Sequence, residues 1–143
     1  MGKLHALASA FRRAILSCDS RALPTRFLDF PRGTCGEATL LLAKYLEEQG
    51  CGKFYYMLGQ RDNQSHAWLQ RGDLIVDITA DQFADQPAPV VVTTNSPWHQ
   101  AFAGKAQHVA DFTTYDKRTV TNLGNIYRVI TKQIRIEHPV ENV

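Results

Sequence analysis

The segment HAWLQRGDLIVDIT, residues 66–79, constrains the fold of this chain more than any other part of the sequence. Two runs rich in apolar and β-branched residues stand on either side of Arg71-Gly72, a pair that favours a tight turn. The segment therefore predicts an antiparallel hairpin. With Arg71-Gly72 as a two-residue loop, the register places His66 directly opposite Asp77.

The predicted hairpin brings an imidazole next to a carboxylate. Directly opposed residues share a face of the sheet, with Cβ atoms about 5 Å apart, and a four-residue loop over 70–73 would keep the same register. Asp77 interrupts an otherwise apolar strand, where a charge is costly unless it is paired. We expect Asp77 to orient the His66 ring and to stabilise its charged form. The same face carries Trp68 and Ile75, whereas Ala67, Leu69, Val76 and Ile78 point to the other side.

Helical periodicity is found before and after this hairpin. Apolar spacing predicts an amphipathic helix over residues 3–18 and a second helix that begins near Thr34 and stops at Gly50. The run NLGNIYRVITKQI predicts a final helix. The other segments are expected to form a connection (19–34), a strand (53–58), a turn-rich break (59–64), a strand (88–94) and a loop or short helix (96–102). Early helices followed by an antiparallel meander predict the α+β class.

Length and composition limit the possible functions. A chain of 143 residues with 44% apolar residues suffices for one domain, which we place at residues 1–143. A net charge of +2, with both signs interleaved, indicates neither nucleic acid nor membrane as a partner. The start of the chain lacks the features of a signal peptide. We therefore expect a cytoplasmic protein, or a secreted effector that uses no signal peptide.

Cys35 is the cysteine best placed for chemistry. The three cysteines cannot all pair within the chain and no closely spaced Cys/His set indicates zinc, so reduced thiols and no cofactor are expected. Cys35 lies on the first turn of the second predicted helix, where the helix field and a nearby imidazolium can lower a thiol pKa well below about 8.5. Gly33 and Gly36 leave the thiol uncrowded, and free N–H groups of the first turn can bind an oxyanion.

Cys35, His66 and Asp77 together have the chemistry of nucleophile, base and orienter in a catalytic triad. A helix packed on the hairpin would bring them together. Cys35 and His66 each also have a structural alternative, since helix-start cysteines and strand histidines are common in protein cores. The sequence assigns no functional role to Cys18, Cys51, His5, His99, His108 and His138.

The order of helix-start Cys, strand His and next-strand Asp resembles the transglutaminase-like branch of the papain-like cysteine enzymes. The segment HAWLQRGDLIVDIT is similar to the His-Ala-Trp…Asp hairpin of that branch, especially in the leader-peptide proteases that mature lasso peptides. PRGTCGEAT is similar, more weakly, to the Arg-Gly-Gly-x-Cys-x-Glu stretch of arylamine N-acetyltransferases, but it is one glycine shorter. No glutamine precedes Cys35 as a papain-type oxyanion donor, so only the backbone N–H of Cys35 is assigned that role.

The resemblance implies a papain-like/transglutaminase-like core, in which the helix with the cysteine packs on the sheet that carries His66 and Asp77. It also implies a cysteine hydrolase or acyltransferase that acts on an amide bond of a peptide or protein, as a peptidase or as a glutamine deamidase or transglutaminase. A non-catalytic protein-binding module on the same scaffold is the alternative, and zinc binding by Cys35, His66 and Asp77 is a third. The substrate and the oligomeric state stay open.

Overall fold

The computed structural model describes residues 1–139, which form four α-helices and a five-stranded sheet. The helices are α1 (Gly2–Ser17), α2 (Cys35–Glu48), α3 (Pro97–Gln100) and α4 (Lys117–Glu137). The strands are β1 (Tyr55–Arg61), β2 (Gln64–Arg71), β3 (Leu74–Asp77), β4 (Val91–Thr93) and β5 (Lys105–Val109). The predicted α+β class is confirmed.

The sheet is antiparallel, with the strand order β4-β3-β2-β1-β5, so the central position belongs to β2. Helices α1, α2 and α4 bury one face of it, because Leu69, Val76 and Ile78 belong to the same apolar cluster as the inner sides of these helices. The opposite face carries a smaller cluster of Trp68, Ile75, Phe83 and Phe102. The predicted division of the hairpin side chains between two faces is therefore confirmed.

The register of the β2–β3 hairpin differs from the prediction by two residues. Leu69 pairs with Val76 and Arg71 with Leu74, so the loop is Gly72-Asp73 and not Arg71-Gly72. Gly72 has a φ of +61°, and a glycine at the first loop position fits a type II′ turn. The predicted loop would have required this left-handed conformation of Arg71, which is costly for a residue with a Cβ. Because side chains alternate with a period of two, the shift leaves every side chain on its predicted face.

Several predicted elements have different bounds. The turn-rich break at 59–64 is mostly strand, since β1 runs to Arg61 and the chain reverses at Asp62, which has a φ of +54°. The strand predicted at 88–94 shortens to β4, and β5 was not predicted. The final helix is longer than predicted and begins after Asp116, whose carboxylate accepts a hydrogen bond from the Thr119 N–H. The stop of α2 at Gly50, with a φ of +82°, is confirmed.

A buried arginine fixes the chain segment that leaves β3. The Arg12 guanidinium, on the inner side of α1, donates to the carbonyl oxygen of Ile78 at 2.6 Å and to that of Pro89 at 3.0 Å. It also donates to both carboxylate oxygens of Asp81, at 2.8 Å each. Bidentate pairing of this kind restricts both distance and orientation. The short turn that follows Asp77 is thereby held against α1.

Within residues 1–139, none of the helices has the length and the apolar character that a membrane span requires.

Candidate active site

His66 and Asp77 form a buried ion pair on the face of the sheet opposite the three long helices. The Nε2 atom of His66 lies 2.6 Å from Oδ2 of Asp77, and the two residues are 0% and 2% exposed. In the observed register the two residues are diagonal neighbours, because Asp77 aligns with Trp68 when the β2–β3 pairing is continued by one step. Diagonal neighbours are within reach of long side chains. The predicted contact is therefore present, although its predicted register is wrong.

A second imidazole binds the same carboxylate oxygen. His99, on α3, has its Nε2 atom 2.6 Å from Oδ2 of Asp77 and is 1% exposed. Its other ring nitrogen, Nδ1, lies 2.6 Å from the Ser96 hydroxyl, which can donate to it. Ser96 also accepts the backbone N–H of His99 and so caps α3. Sequence reasoning missed His99, since the only local signal is the Ser-Pro start of a short helix.

The carboxylate of Asp77 accepts hydrogen bonds on both oxygens. Oδ2 receives the two imidazoles, and Oδ1 receives the Thr79 N–H at 2.9 Å. Burial alone would raise the pKa of Asp77, but the hydrogen bonds from His66 and His99 outweigh it and hold that pKa well below its ordinary value. Asp77 is therefore a carboxylate at neutral pH, with fixed donors around it.

Aromatic rings enclose the His66 imidazole. The ring centroids of Phe83, Trp98 and Phe102 lie 5.2 to 5.6 Å from that of His66, and Trp68 lies 5.7 Å away. These rings exclude water from the Asp77 side of the imidazole. In such a dry setting an ion pair with satisfied hydrogen bonds is stronger than in water. The ring can therefore move little, which leaves its Nδ1 atom in a defined position.

Cys35 lies at the start of α2 and is half-buried, and its thiol is near enough to the His66 imidazole for each group to shift the pKa of the other. Burial raises the pKa of the Cys35 thiol. Hydrogen bonding with His66, with the backbone N–H of Ala67 and with Gln82 lowers it, and the net effect is a pKa below the ordinary value. A thiolate is consequently favoured at this position, as a nucleophile requires.

The same interaction raises the pKa of His66. Burial would lower it, but the hydrogen bonds with Asp77 and Cys35 outweigh burial and raise the pKa of His66 to about 9. A raised histidine pKa together with a lowered thiol pKa favours the pair of imidazolium and thiolate over the neutral pair. Cys35 and His66 can thus exist as an ion pair near neutral pH.

The first turn of α2 offers backbone donors next to the thiol. Among the described residues, the side chain of the N-cap residue Thr34 makes no hydrogen bond to this turn. The Glu37 carboxylate pairs instead with the Arg26 guanidinium, with Oε2 and Nη2 2.7 Å apart. The N–H groups of the first turn are therefore available for a ligand. Tyr56 lies over the same turn, because a Cβ atom at Gly36 would meet its hydroxyl at 2.9 Å. Burial and the Cys35 charge raise the pKa of Tyr56 to about 12, so it stays a hydroxyl donor.

The cluster could in principle hold a metal ion, since ligand atoms of His66, Asp77 and His99 lie within 4.8 Å of one another. Both imidazoles, however, direct Nε2 at one carboxylate oxygen at 2.6 Å, which is the distance of a charge-assisted hydrogen bond. A metal ion would have to break both hydrogen bonds. The zinc set weighed from the sequence contained Cys35, whereas the observed cluster contains His99 in its place.

A comparison of the chain with known protein families, with curated proteins and with solved structures finds no match.

Proposed function

We propose that this protein is a cysteine hydrolase or acyltransferase that acts on an amide bond. The observation that carries the proposal is the buried His66–Asp77 pair, and it is supported by the helix-start thiol of Cys35, whose pKa His66 lowers. Cys35 is the nucleophile, His66 the proton carrier, and Asp77 the group that orients the ring. A transglutaminase-like arrangement of helix and sheet is part of the same proposal.

The reaction begins with attack of the Cys35 thiolate on the carbonyl carbon of the substrate amide. A C–S bond forms and the carbonyl oxygen takes up the negative charge, which the N–H groups of the α2 first turn stabilise. The His66 imidazolium then gives its Nδ1 proton to the leaving nitrogen, the C–N bond breaks, and an acyl-enzyme remains. Asp77 holds the Nε2 atom of the His66 ring throughout, which leaves Nδ1 for the proton transfer.

The acceptor of the acyl group decides the overall reaction. Water attacks the acyl-enzyme with His66 as the base, which gives peptide cleavage or deamidation according to whether the leaving group was a peptide amine or ammonia. A primary amine in place of water gives transamidation. Each of these reactions uses the same residues and needs a reduced Cys35, and all three cysteines are unpaired in the described part of the chain.

A screen with three readouts tests the proposal. The purified protein is incubated with peptide pools that contain glutamine, with and without a fluorescent primary amine, while released ammonia, cleaved peptide and incorporated amine are measured in parallel. We expect at least one product, together with an acyl adduct on Cys35 by mass spectrometry. The Cys51→Ala variant is the matched control and should keep the activity. If no product and no adduct form while a protein partner still binds Cys35→Ala, the binding-module alternative is correct.

A further inference from the structure

Gln82 lies at the reactive edge of His66. It ends the short 3-10 turn Ala80–Gln82, the next element of the chain after β3. Its Nε2 atom is 3.2 Å from Nδ1 of His66, the ring nitrogen that Asp77 leaves free. The Gln82 side chain also lies near enough to the Cys35 thiol to lower its pKa. The amide of Gln82 thus contacts the imidazole and lies close to the thiol, the two groups that react.

The turn that carries Gln82 is rigidly held. Its neighbour Asp81 receives the two hydrogen bonds from Arg12, and Ala80 is fully buried. The backbone N–H of Gln82 donates to the Thr79 carbonyl at 3.2 Å, and Thr79 in turn donates to Asp77. The position of the Gln82 backbone is therefore tied to the carboxylate that orients His66. With its backbone fixed in this way, Gln82 can reach its hydrogen-bond partners by movement of its side chain alone.

Ionisation of the Cys35–His66 pair changes what the Gln82 amide can bind. While Nδ1 of His66 is unprotonated, it can accept a hydrogen bond from Gln82. Once the thiol proton has moved to Nδ1, that nitrogen becomes a donor and can no longer accept. The Gln82 N–H groups are then available to negative charge, first on the thiolate and then on the substrate oxygen.

We propose that the side-chain amide of Gln82 is an oxyanion donor, which acts with the backbone N–H groups of the α2 first turn. This inference rests on the proposed function and adds a catalytic residue to it. Gln82 follows the triad aspartate in the chain, and no glutamine precedes Cys35. The papain-type pattern, in which a glutamine precedes the cysteine, therefore does not predict this donor.

Two reactions of the same thiol test the role of Gln82. Iodoacetamide alkylates Cys35 by displacement of iodide and forms no oxyanion. p-Nitrophenyl acetate acylates it: a C–S bond forms, the carbonyl oxygen becomes an oxyanion, and the C–O bond breaks to release p-nitrophenolate. Both rates at Cys35 are measured by peptide mass spectrometry in wild type, in Gln82→Ala and in Gln82→Glu. Gln107→Ala, a change at an exposed glutamine on β5, is the matched control.

We expect Gln82→Ala to slow acylation of Cys35 by about 10²–10³-fold, the range for loss of one oxyanion donor, and to change alkylation far less. Gln82→Glu should slow acylation at least as much, because it replaces the donor by an anion. Equal slowing of both reactions would overturn the inference and would make Gln82 only a support for His66. If wild-type Cys35 reacts with neither reagent faster than Cys18, the proposed function itself fails.

Discussion

Asp77→Ala should lower both the stability of the fold and the reactivity of the site. The substitution leaves the imidazoles of His66 and His99 buried without the acceptor that both use. Removing one partner of a buried ion pair typically costs about 3–5 kcal/mol of unfolding free energy. Acylation of Cys35 should fall by up to about 10⁴-fold, the loss that follows when the orienting carboxylate of a Ser-His-Asp triad is neutralised.

Three further variants separate the two effects of Asp77. Asp77→Asn keeps the shape and one acceptor oxygen, so it should lose less stability than Asp77→Ala but a comparable amount of activity. His99→Gln leaves the His66–Asp77 contact in place, and should therefore lose stability with a much smaller loss of activity. Asp73→Ala changes an exposed turn residue and should behave as wild type. If Cys35 is acylated in Asp77→Ala at the wild-type rate, Asp77 has only a structural role.

The stability difference between wild type and Asp77→Ala should depend on pH on both sides of neutrality. The folded-state pKa of Asp77 is depressed, so its contribution is present above the ordinary value of 3.8 and is lost as the pH falls below it. The folded-state pKa of His66 is raised, so its contribution is complete below 6.5 and is lost as the pH rises through about 9. Urea unfolding at a series of pH values should therefore show the largest difference in unfolding free energy between pH 3.8 and pH 6.5, where both contributions are present.

Cys35→Ala should abolish turnover and leave the fold intact. Removal of a catalytic nucleophile costs on the order of 10⁶-fold in rate, which takes the activity below detection. Cys35 is half-buried at the end of a helix, so loss of its sulfur should lower the unfolding free energy by about 1 kcal/mol or less. The measurements are product formation in the three-readout screen and a urea unfolding curve of the same sample. Activity retained by Cys35→Ala would exclude this thiol as the nucleophile.

The contact between His66 and Asp77 could be predicted although its register could not. The alternation of apolar residues assigns each side chain of the hairpin to a face, and any shift by two residues preserves that assignment. The register depends on which two residues form the loop. Gly72 can take its left-handed φ at either loop position, so the sequence does not decide between Arg71-Gly72 and the observed Gly72-Asp73. A carboxylate and an imidazole on one face, two positions apart, still meet because their side chains are long enough.

The roles of His99 and Gln82 could not be predicted, because they depend on how the chain returns to the sheet. His99 lies on α3, 22 positions after Asp77 in the chain. No pattern in the sequence between the two residues predicts that they meet. Gln82 is placed by the contact of Arg12 with Asp81, which joins the first helix to the segment after β3. The edge strand β5 could not be predicted either. All five of its residues are exposed, so burial imposes no alternation of apolar and polar residues on its sequence.

Alkylation of the three cysteines as a function of pH tests the central claim most directly. At pH 6 an ordinary thiol is almost fully protonated, whereas the lowered pKa of Cys35 leaves it a larger thiolate fraction in its pair with His66, so it should react faster with iodoacetamide than Cys18. Cys18 is the internal reference, because burial and Glu137 raise its pKa. Its rate should become appreciable only in alkaline solution.

We expect the Cys35 rate to begin its rise at a lower pH than the Cys18 rate, and His66→Ala to remove this difference. The rate in the variant should then rise with pH like that of an isolated thiol. A Cys35 rate that parallels that of Cys18 in wild type, and that does not change in His66→Ala, would contradict the assignment of a thiolate–imidazolium pair.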